Sequence, residues 1–265
     1  ICVASGKGGV GKSTTAVNLA LALQAEGVRV GLLDADIYGP SQALMLGVQG
    51  QRPETPDGKS FNPVIAHGIP VMSMAFLLTE RSPTIWRGPM VSGAFTQMLR
   101  QTNWGNLDYL LIDLPPGTGD IQLTLSQQVP VNGAVVVTTP QDIALLDARR
   151  GIEMFRRVEV PVLGVIENMS LHQCSKCGHT EHLFGEGGGD RIAAEYETEL
   201  LGALPLDLSI RHQTDIGKPT VINDPDGSIA QSYRDIARRT GARLALFAER
   251  DGSSNLITKT QGTDK

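Results

Sequence analysis

The stretch Gly6-Lys7-Gly8-Gly9-Val10-Gly11-Lys12-Ser13 constrains this chain more than any other. It sets four residues between Gly6 and Gly11-Lys12-Ser13. An apolar run, Ile1–Ala4, leads into it as a strand. A helical pattern over Lys12–Gln24 follows, with Ala16, Leu19, Ala20 and Leu23 on one face and Gly27 as a stop. Glycines let the backbone turn sharply and aim successive N–H groups at one point. The helix adds the positive end of its dipole. Lys12 supplies a point charge for the β- and γ-phosphates of ATP, and the Ser13 hydroxyl can ligate Mg²⁺. Gly8, Gly9, Val10, Gly11, Lys12, Ser13 and Thr14 are therefore expected to bind ATP or ADP. The plainer alternative is a glycine-rich strand-to-helix turn with no ligand.

The rest of the chain repeats the same alternation. Strands are expected at Val28–Asp34, Val64–His67, Val71–Met74, Tyr109–Asp113, Ala134–Thr139, Val162–Glu167 and Leu200–Leu204. Helices are expected at Val91–Arg100, Ile121–Gln128, Ile143–Arg156, Arg191–Glu197 and Ile229–Glu249. Near-continuous apolar strands separated by helices predict an α/β fold. Its mostly parallel, twisted sheet would have about seven to eight strands and helices on both faces. Hydrophobic residues make up 41% of the 265, enough for one sizeable core. Residues 1–250 read as a single P-loop NTPase domain. Gln49–Asn62 reads as a surface loop, and the polar stretch 251–265 as a frayed or disordered tail.

Several function classes are disfavoured. The net charge of −5 leaves no basic footprint for nucleic acid. No apolar run approaches the roughly 20 residues that span a membrane. The start shows no signal-peptide pattern, and a start inside a core strand suggests a missing leading segment. Three cysteines, Cys2, Cys174 and Cys177, do not make a disulfide framework, so a reducing cytoplasm is expected.

Two strands end in acids. Asp34 and Asp36 close one, and Asp113 closes another. Ligands of open α/β sheets bind at such ends. A carboxylate there can hold the water shell of Mg²⁺ or orient an attacking water, although Asp34 could be structural. Pro115-Pro116-Gly117-Thr118-Gly119-Asp120 is a stiff yet hinged loop, suited to sensing a γ-phosphate. Lys7 is a second lysine inside the glycine loop. It could reach a neighbouring subunit's phosphate, as an arginine finger does in trans.

The run GKGGVGKST over Gly6–Thr14 resembles the deviant Walker A signature of the MinD, ParA, nitrogenase iron protein and ArsA class. The resemblance implies a homodimer that sandwiches two nucleotides, with Lys7 crossing the interface. It gives catalytic roles to Lys7, Lys12 and Asp36, the last positioning water. It implies that Asp113 acts on Mg²⁺ through water beside Ser13. It places adenine contacts at Asn168 and at Pro205-Leu206-Asp207.

Cys174-Ser175-Lys176-Cys177 is the second chemical signal. Two thiolates at this spacing can share one metal centre but do not complete a four-ligand site. Two chains would supply four, enough for a bridging 4Fe–4S cluster. The spacing alone leaves that reading level with three others. They are a Zn²⁺ knuckle with His172, His179 or His182, a redox pair, and unliganded thiols. Cys2 reads as a buried structural thiol.

Ile166–Ser170, the cysteine pair, Phe184–Gly189, Asp34–Ser41 and Trp86–Met90 together resemble the Mrp/ApbC group of iron–sulfur cluster carrier ATPases, over Ile1 to about Ala248. The resemblance implies slow ATP hydrolysis and a 4Fe–4S cluster on Cys174 and Cys177 at a homodimer face. It implies cluster donors and apo iron–sulfur proteins as partners. The N-terminal domain of many bacterial members and the N-terminal cysteine site of eukaryotic ones have no counterpart in these residues. The runner-up is a MinD/ParA-type ATPase switch whose cysteines hold structural zinc or nothing.

Overall fold

The chain runs β1 (Cys2–Ala4), α1 (Lys12–Ala25), β2 (Val30–Asp34), α2 (Gln42–Met45), β3 (Val64–Ala66), β4 (Ile69–Ser73), α3 (Met74–Leu77), α4 (Gly88–Gln101) and β5 (Tyr109–Asp113). It continues with β6 (Ala134–Thr138), α5 (Asp142–Arg157), β7 (Val162–Glu167), β8 (His172–Gln173), β9 (Thr180–Glu181) and α6 (Gly188–Glu195). β10 (Leu200–Ala203), α7 (Leu208–Asp215), α8 (Thr220–Asn223) and α9 (Ser228–Arg250) complete it. This computed structural model describes residues 1–77, 88–119, 122–124 and 130–250. Trp86, Arg87, Asp120, most of the helix expected at 121–128 and the tail 251–265 lie outside the described residues.

Eight strands form one sheet in the order β10-β7-β6-β1-β5-β2-β4-β3. All neighbours are parallel except the edge hairpin β3–β4, where Val64 pairs with Val71. The expected seven to eight mostly parallel strands are thus eight. The parallel strands are buried on both faces, which is why they read as continuous apolar runs. In β6, Val135 and Val137 face one core while Ala134 and Val136 face the other. The first core is covered by α1 and α9, the second by α4, α5 and α6.

Helix α1 departs from a one-faced pattern. Val17, Leu21 and Ala22 are buried along with Ala16, Leu19, Ala20 and Leu23. The reason is α9, which lies beside α1 on the same face of the sheet, over β7 and β10, and buries a second side of α1 with Tyr233, Ile236 and Ala237. Glu26 at the end of α1 accepts from Arg234 Nε at 2.6 Å and Arg238 Nη1 at 2.9 Å, tying the two helices together. Parallel pairing also aligns the strand ends. Asp34 of β2 lies opposite Asp113 of β5, and Thr138 of β6 lies opposite Glu167 of β7. One edge of the sheet therefore gathers the glycine loop, both acidic ends and the turn leading to the cysteines.

Candidate functional site

The glycine loop leaves β1 and enters α1 at Gly11. Gly9 and Gly11 have φ of 82° and 83°, the left-handed region that glycine reaches without strain. Gly6 serves a different need. A Cβ there would strike the backbone carbonyl of Asp147 in α5, so only glycine lets the loop lie on that helix. The loop borders a cleft of about 220 Å³ lined by Lys7, Lys12, Ser13, Thr14, Asp36 and Pro116 among others. Gly8 and Gly9 lie exposed at its mouth.

Beneath the cleft is a buried polar cluster. The Lys12 ammonium donates to Asp113 Oδ1 and, at 3.1 Å, to Ser13 Oγ. Lys12 is 6% exposed and Asp113 not at all, so neither charge is shielded by water. Gln42 of α2 closes the cluster. Its Nε2 donates to Asp113 Oδ2 at 2.8 Å and to the Ser13 carbonyl at 3.0 Å, while its buried Oε1 has no partner among the described residues. Asp34 accepts from the N–H groups of Asp36 (3.2 Å) and Gln42 (3.1 Å) and from Ser73 Oγ (2.9 Å). Burial, followed by the neighbouring Asp113 charge, pushes its pKa up to about 7. Asp34 is thus the post that holds Asp36 and Gln42 in place. Asp36 in turn accepts from Tyr38 N and Gly39 N through Oδ1, at 3.2 and 3.1 Å, and its carboxylate borders the cleft.

Lys7 is half-buried and borders the cleft. Among the described residues no carboxylate pairs with its ammonium. Gly117 N donates to Ser5 O at 2.9 Å, so the Pro115–Gly117 turn lies against the glycine loop. Asn168, just past β7, sits apart from the cleft lining and touches the loop from behind. Its Nδ2 donates to Val10 O at 2.8 Å, leaving one N–H and the amide oxygen for a ligand. Pro205 and Leu206 are half-buried. Asp207 caps α7, accepting from Ser209 N at 2.7 Å.

The cysteines lie on a small antiparallel hairpin, β8–β9, in which His172 pairs with Glu181. Cys174 N donates to His179 O at 2.8 Å and Gly178 N to Cys174 O at 2.9 Å, while Gly178 takes φ 73° to close the turn. The backbone N–H groups of Lys176 and Cys177, followed by the Cys177 thiol, point at Cys174 Sγ and hold its pKa below the usual thiol range. Cys174 is half-buried and Cys177 exposed. The histidines do not join them. His172 Nδ1 faces Leu206 O at 3.1 Å, His182 Nδ1 faces Ser170 O at 2.8 Å, and His179 lies beside Glu181. Among the described residues no three His, Cys, Asp or Glu side chains converge on a metal position, so a one-chain zinc knuckle is not formed. Cys2 is buried in the core, where burial pushes its thiol up to about 11.

A family model described as ParA, NUBPL iron-transfer P-loop NTPase matches residues 1–240. The chain belongs to this family. An iron-sulfur cluster carrier protein of Pseudomonas fragi is 64% identical over 245 residues, covering 92% of this chain and 85% of that one. One of Escherichia coli K12 is 59% identical over 244 residues, and the match covers 92% of this chain and 66% of the E. coli protein. A solved nucleotide-binding protein of Archaeoglobus fulgidus, in complex with ADP, superposes with a TM-score of 0.75 at 37% identity over 88% of each chain.

Membership accords with the resemblance seen in the glycine loop and around the cysteine pair. It does not account for Gln42, Asp34 or the Asn168 contact on Val10. Gln42 carried no signal in the sequence, because a lone glutamine after Ser41 is indistinguishable from a solvated residue. Among the described residues no helix is long and apolar enough to cross a membrane.

Proposed function

We propose that this chain hydrolyses ATP slowly and carries a 4Fe–4S cluster. Two copies would share the cluster, each contributing Cys174 and Cys177, and pass it from a donor to apoproteins in a reducing cytoplasm. The observation that carries this reading is the hairpin itself. It presents two thiols outward, with no third ligand converging on them among the described residues. A four-thiolate cluster site then needs a second hairpin, and a two-fold pair supplies it. The carrier and transfer names of the relatives support the same reading.

ATP would lie with its phosphates on the N–H groups of Gly8–Thr14 and its base toward Asn168 and Pro205–Asp207. Lys12 would release part of its hold on Asp113 to meet the β- and γ-phosphates. The donor set below the cleft is a hydroxyl and a carboxylate beside a free amide oxygen, all hard oxygen ligands that fit Mg²⁺. Ser13 would hold Mg²⁺ directly and Asp113 through water, and the ion supplies charge neutralisation on the phosphate oxygens. Asp36, with one oxygen pinned by two backbone N–H groups, has the other to orient the attacking water. Lys7 would reach across the two-fold face to the opposite γ-phosphate.

The test is anaerobic reconstitution with iron and sulfide, followed by iron counting, absorbance and sizing. The parent is expected to hold about four irons per pair of chains. Cys174→Ala and Cys177→Ala should each lose them while still binding ADP. A colourless parent, or one that holds zinc instead, would remove the carrier assignment.

A further inference from the structure

We propose that Asn168 and Met169 couple the nucleotide loop to the cysteine hairpin, so that nucleotide on the loop changes how Cys174 and Cys177 are presented. The proposal rests on the reading of those cysteines as the cluster-holding pair, but its mechanics are in this chain alone.

The contact with the loop is close and specific. Asn168 N donates to Thr138 O at 2.8 Å, fixing the residue where β6 and β7 end together. Its side chain then reaches Val10 O at 2.8 Å. The amide occupies the space that a Cβ on Gly11 would fill, and Met169 Cε lies 3.9 Å from the same point. The Val10–Gly11 peptide cannot turn without displacing this amide. Phosphate bound by the loop's N–H groups acts on that same peptide unit.

The contact with the hairpin is equally direct. Met169 has φ 56°, a conformation that a non-glycine side chain adopts only where its surroundings impose it. Four described non-glycine residues share a positive φ, namely His67, Glu159, Met169 and Glu197, and of these Met169 alone lies between the loop and the cysteines. Beyond it, Ser170 is anchored twice to Leu204 O, through its N–H at 2.9 Å and its hydroxyl at 3.0 Å. Both ends of the hairpin meet at this residue. Strand β8 begins two positions later, and His182, just after β9, faces Ser170 O at 2.8 Å. Glu167, the residue before Asn168, accepts from Gly189 N at 2.5 Å and so fixes the start of α6 beside the hairpin. A displacement of Asn168 therefore acts through Met169 on Ser170, the residue that both ends of the hairpin share, and shifts the hairpin against its Leu204 anchor. Such a device works only if nucleotide favours one of the two arrangements.

The test reads the thiols in reduced, cluster-free protein. Alkylation rates at Cys174 and Cys177 would be followed by mass spectrometry with and without saturating Mg-ADP or a non-hydrolysable ATP analogue. Buried Cys2 serves as the internal reference for unfolding. In the parent, nucleotide is expected to change the rates about 5-fold or more, the lower end of ordinary coupling. Asn168→Ala should reduce that ratio to less than about 2-fold at saturating nucleotide. Met169→Gly, which tolerates the left-handed backbone and so keeps the fold, should also shrink it. A parent ratio near one overturns the proposal, and so does a parent-like ratio in both variants. If Asn168→Ala unfolds, Cys2 becomes reactive and Met169→Gly decides. Because no cluster is needed, failed reconstitution with an intact nucleotide effect would sink the carrier reading alone, and the reverse pattern would sink the coupling alone.

Discussion

Replacing Lys12 by methionine removes the charge that balances a fully buried carboxylate. The ammonium is bonded to Asp113, and the two side chains are 6% and 0% exposed. Removing one partner of such a pair costs about 3–5 kcal/mol, because the other charge is left unpaired away from water. Methionine keeps most of the aliphatic stem, so the packing loss is small. Gln42 Nε2 still donates to Asp113 at 2.8 Å, which moves the expected cost to the lower end, about 3 kcal/mol. With a urea slope near 3 kcal/mol per molar, the unfolding midpoint of nucleotide-stripped protein should drop by about 1 M. Asp113→Asn breaks the same pair from the other side and should lose a similar amount. The two variants must then part company when Mg-ADP is added. Phosphate can pair the stranded ammonium of Asp113→Asn, and binding to the native state alone raises its stability by mass action. In Lys12→Met the buried ammonium is gone and only that of Lys7 borders the cleft, so ADP should restore less. The double variant, which leaves neither charge, should be more stable than either single one. The reasoning is refuted if Lys12→Met unfolds within about 1 kcal/mol of the parent, or if the double variant is the least stable of the three.

Two further outcomes follow from neighbouring geometry. Asp34 has its pKa raised to about 7 from an ordinary 3.8, first by burial and then by Asp113. The native state thus keeps a proton that the unfolded chain has released. The stability from this group is complete below the ordinary value and is lost as pH rises through about 7. Asp34→Asn should flatten the fall of the unfolding midpoint between about pH 4 and pH 7, and parallel profiles would contradict the assignment. Gly6→Ala drives a methyl onto the Asp147 carbonyl, a backbone atom that cannot swing away. It should cost about 1–3 kcal/mol and weaken ADP binding in calorimetry, whereas unchanged binding would show that the loop does not depend on α5.

The amino-acid sequence by itself determined the phosphate loop, because a strand, a run of glycines and a helix start are local events governed by φ, ψ and dipole. It determined the parallel sheet for a similar reason. Strands buried on both faces must be apolar at every position, and Val135–Val137 or Leu110–Ile112 can be read without knowing their neighbours. Asp34, Asp36 and Asp113 were legible as strand ends, and Cys174 and Cys177 as a spaced pair. The helix at Leu208–Asp215 was missed, since its signal is a cap by Asp207 and not a long apolar period.

Tertiary structure alone decided which of these groups meet. Lys12 and Asp113 are 101 positions apart, Gln42 and Asp113 71, and Asn168 and Val10 158. Such pairings depend on strand order, and hydrophobic periodicity is silent about order. The full burial of α1 depends likewise on α9, which packs beside it from more than 200 positions away, as the Glu26–Arg234 contact shows. The turn at Met169 is the sharpest case. Nothing about a methionine announces a left-handed backbone; it is imposed by Asn168 held on one side and Ser170 on the other, and only the folded chain brings both anchors to bear.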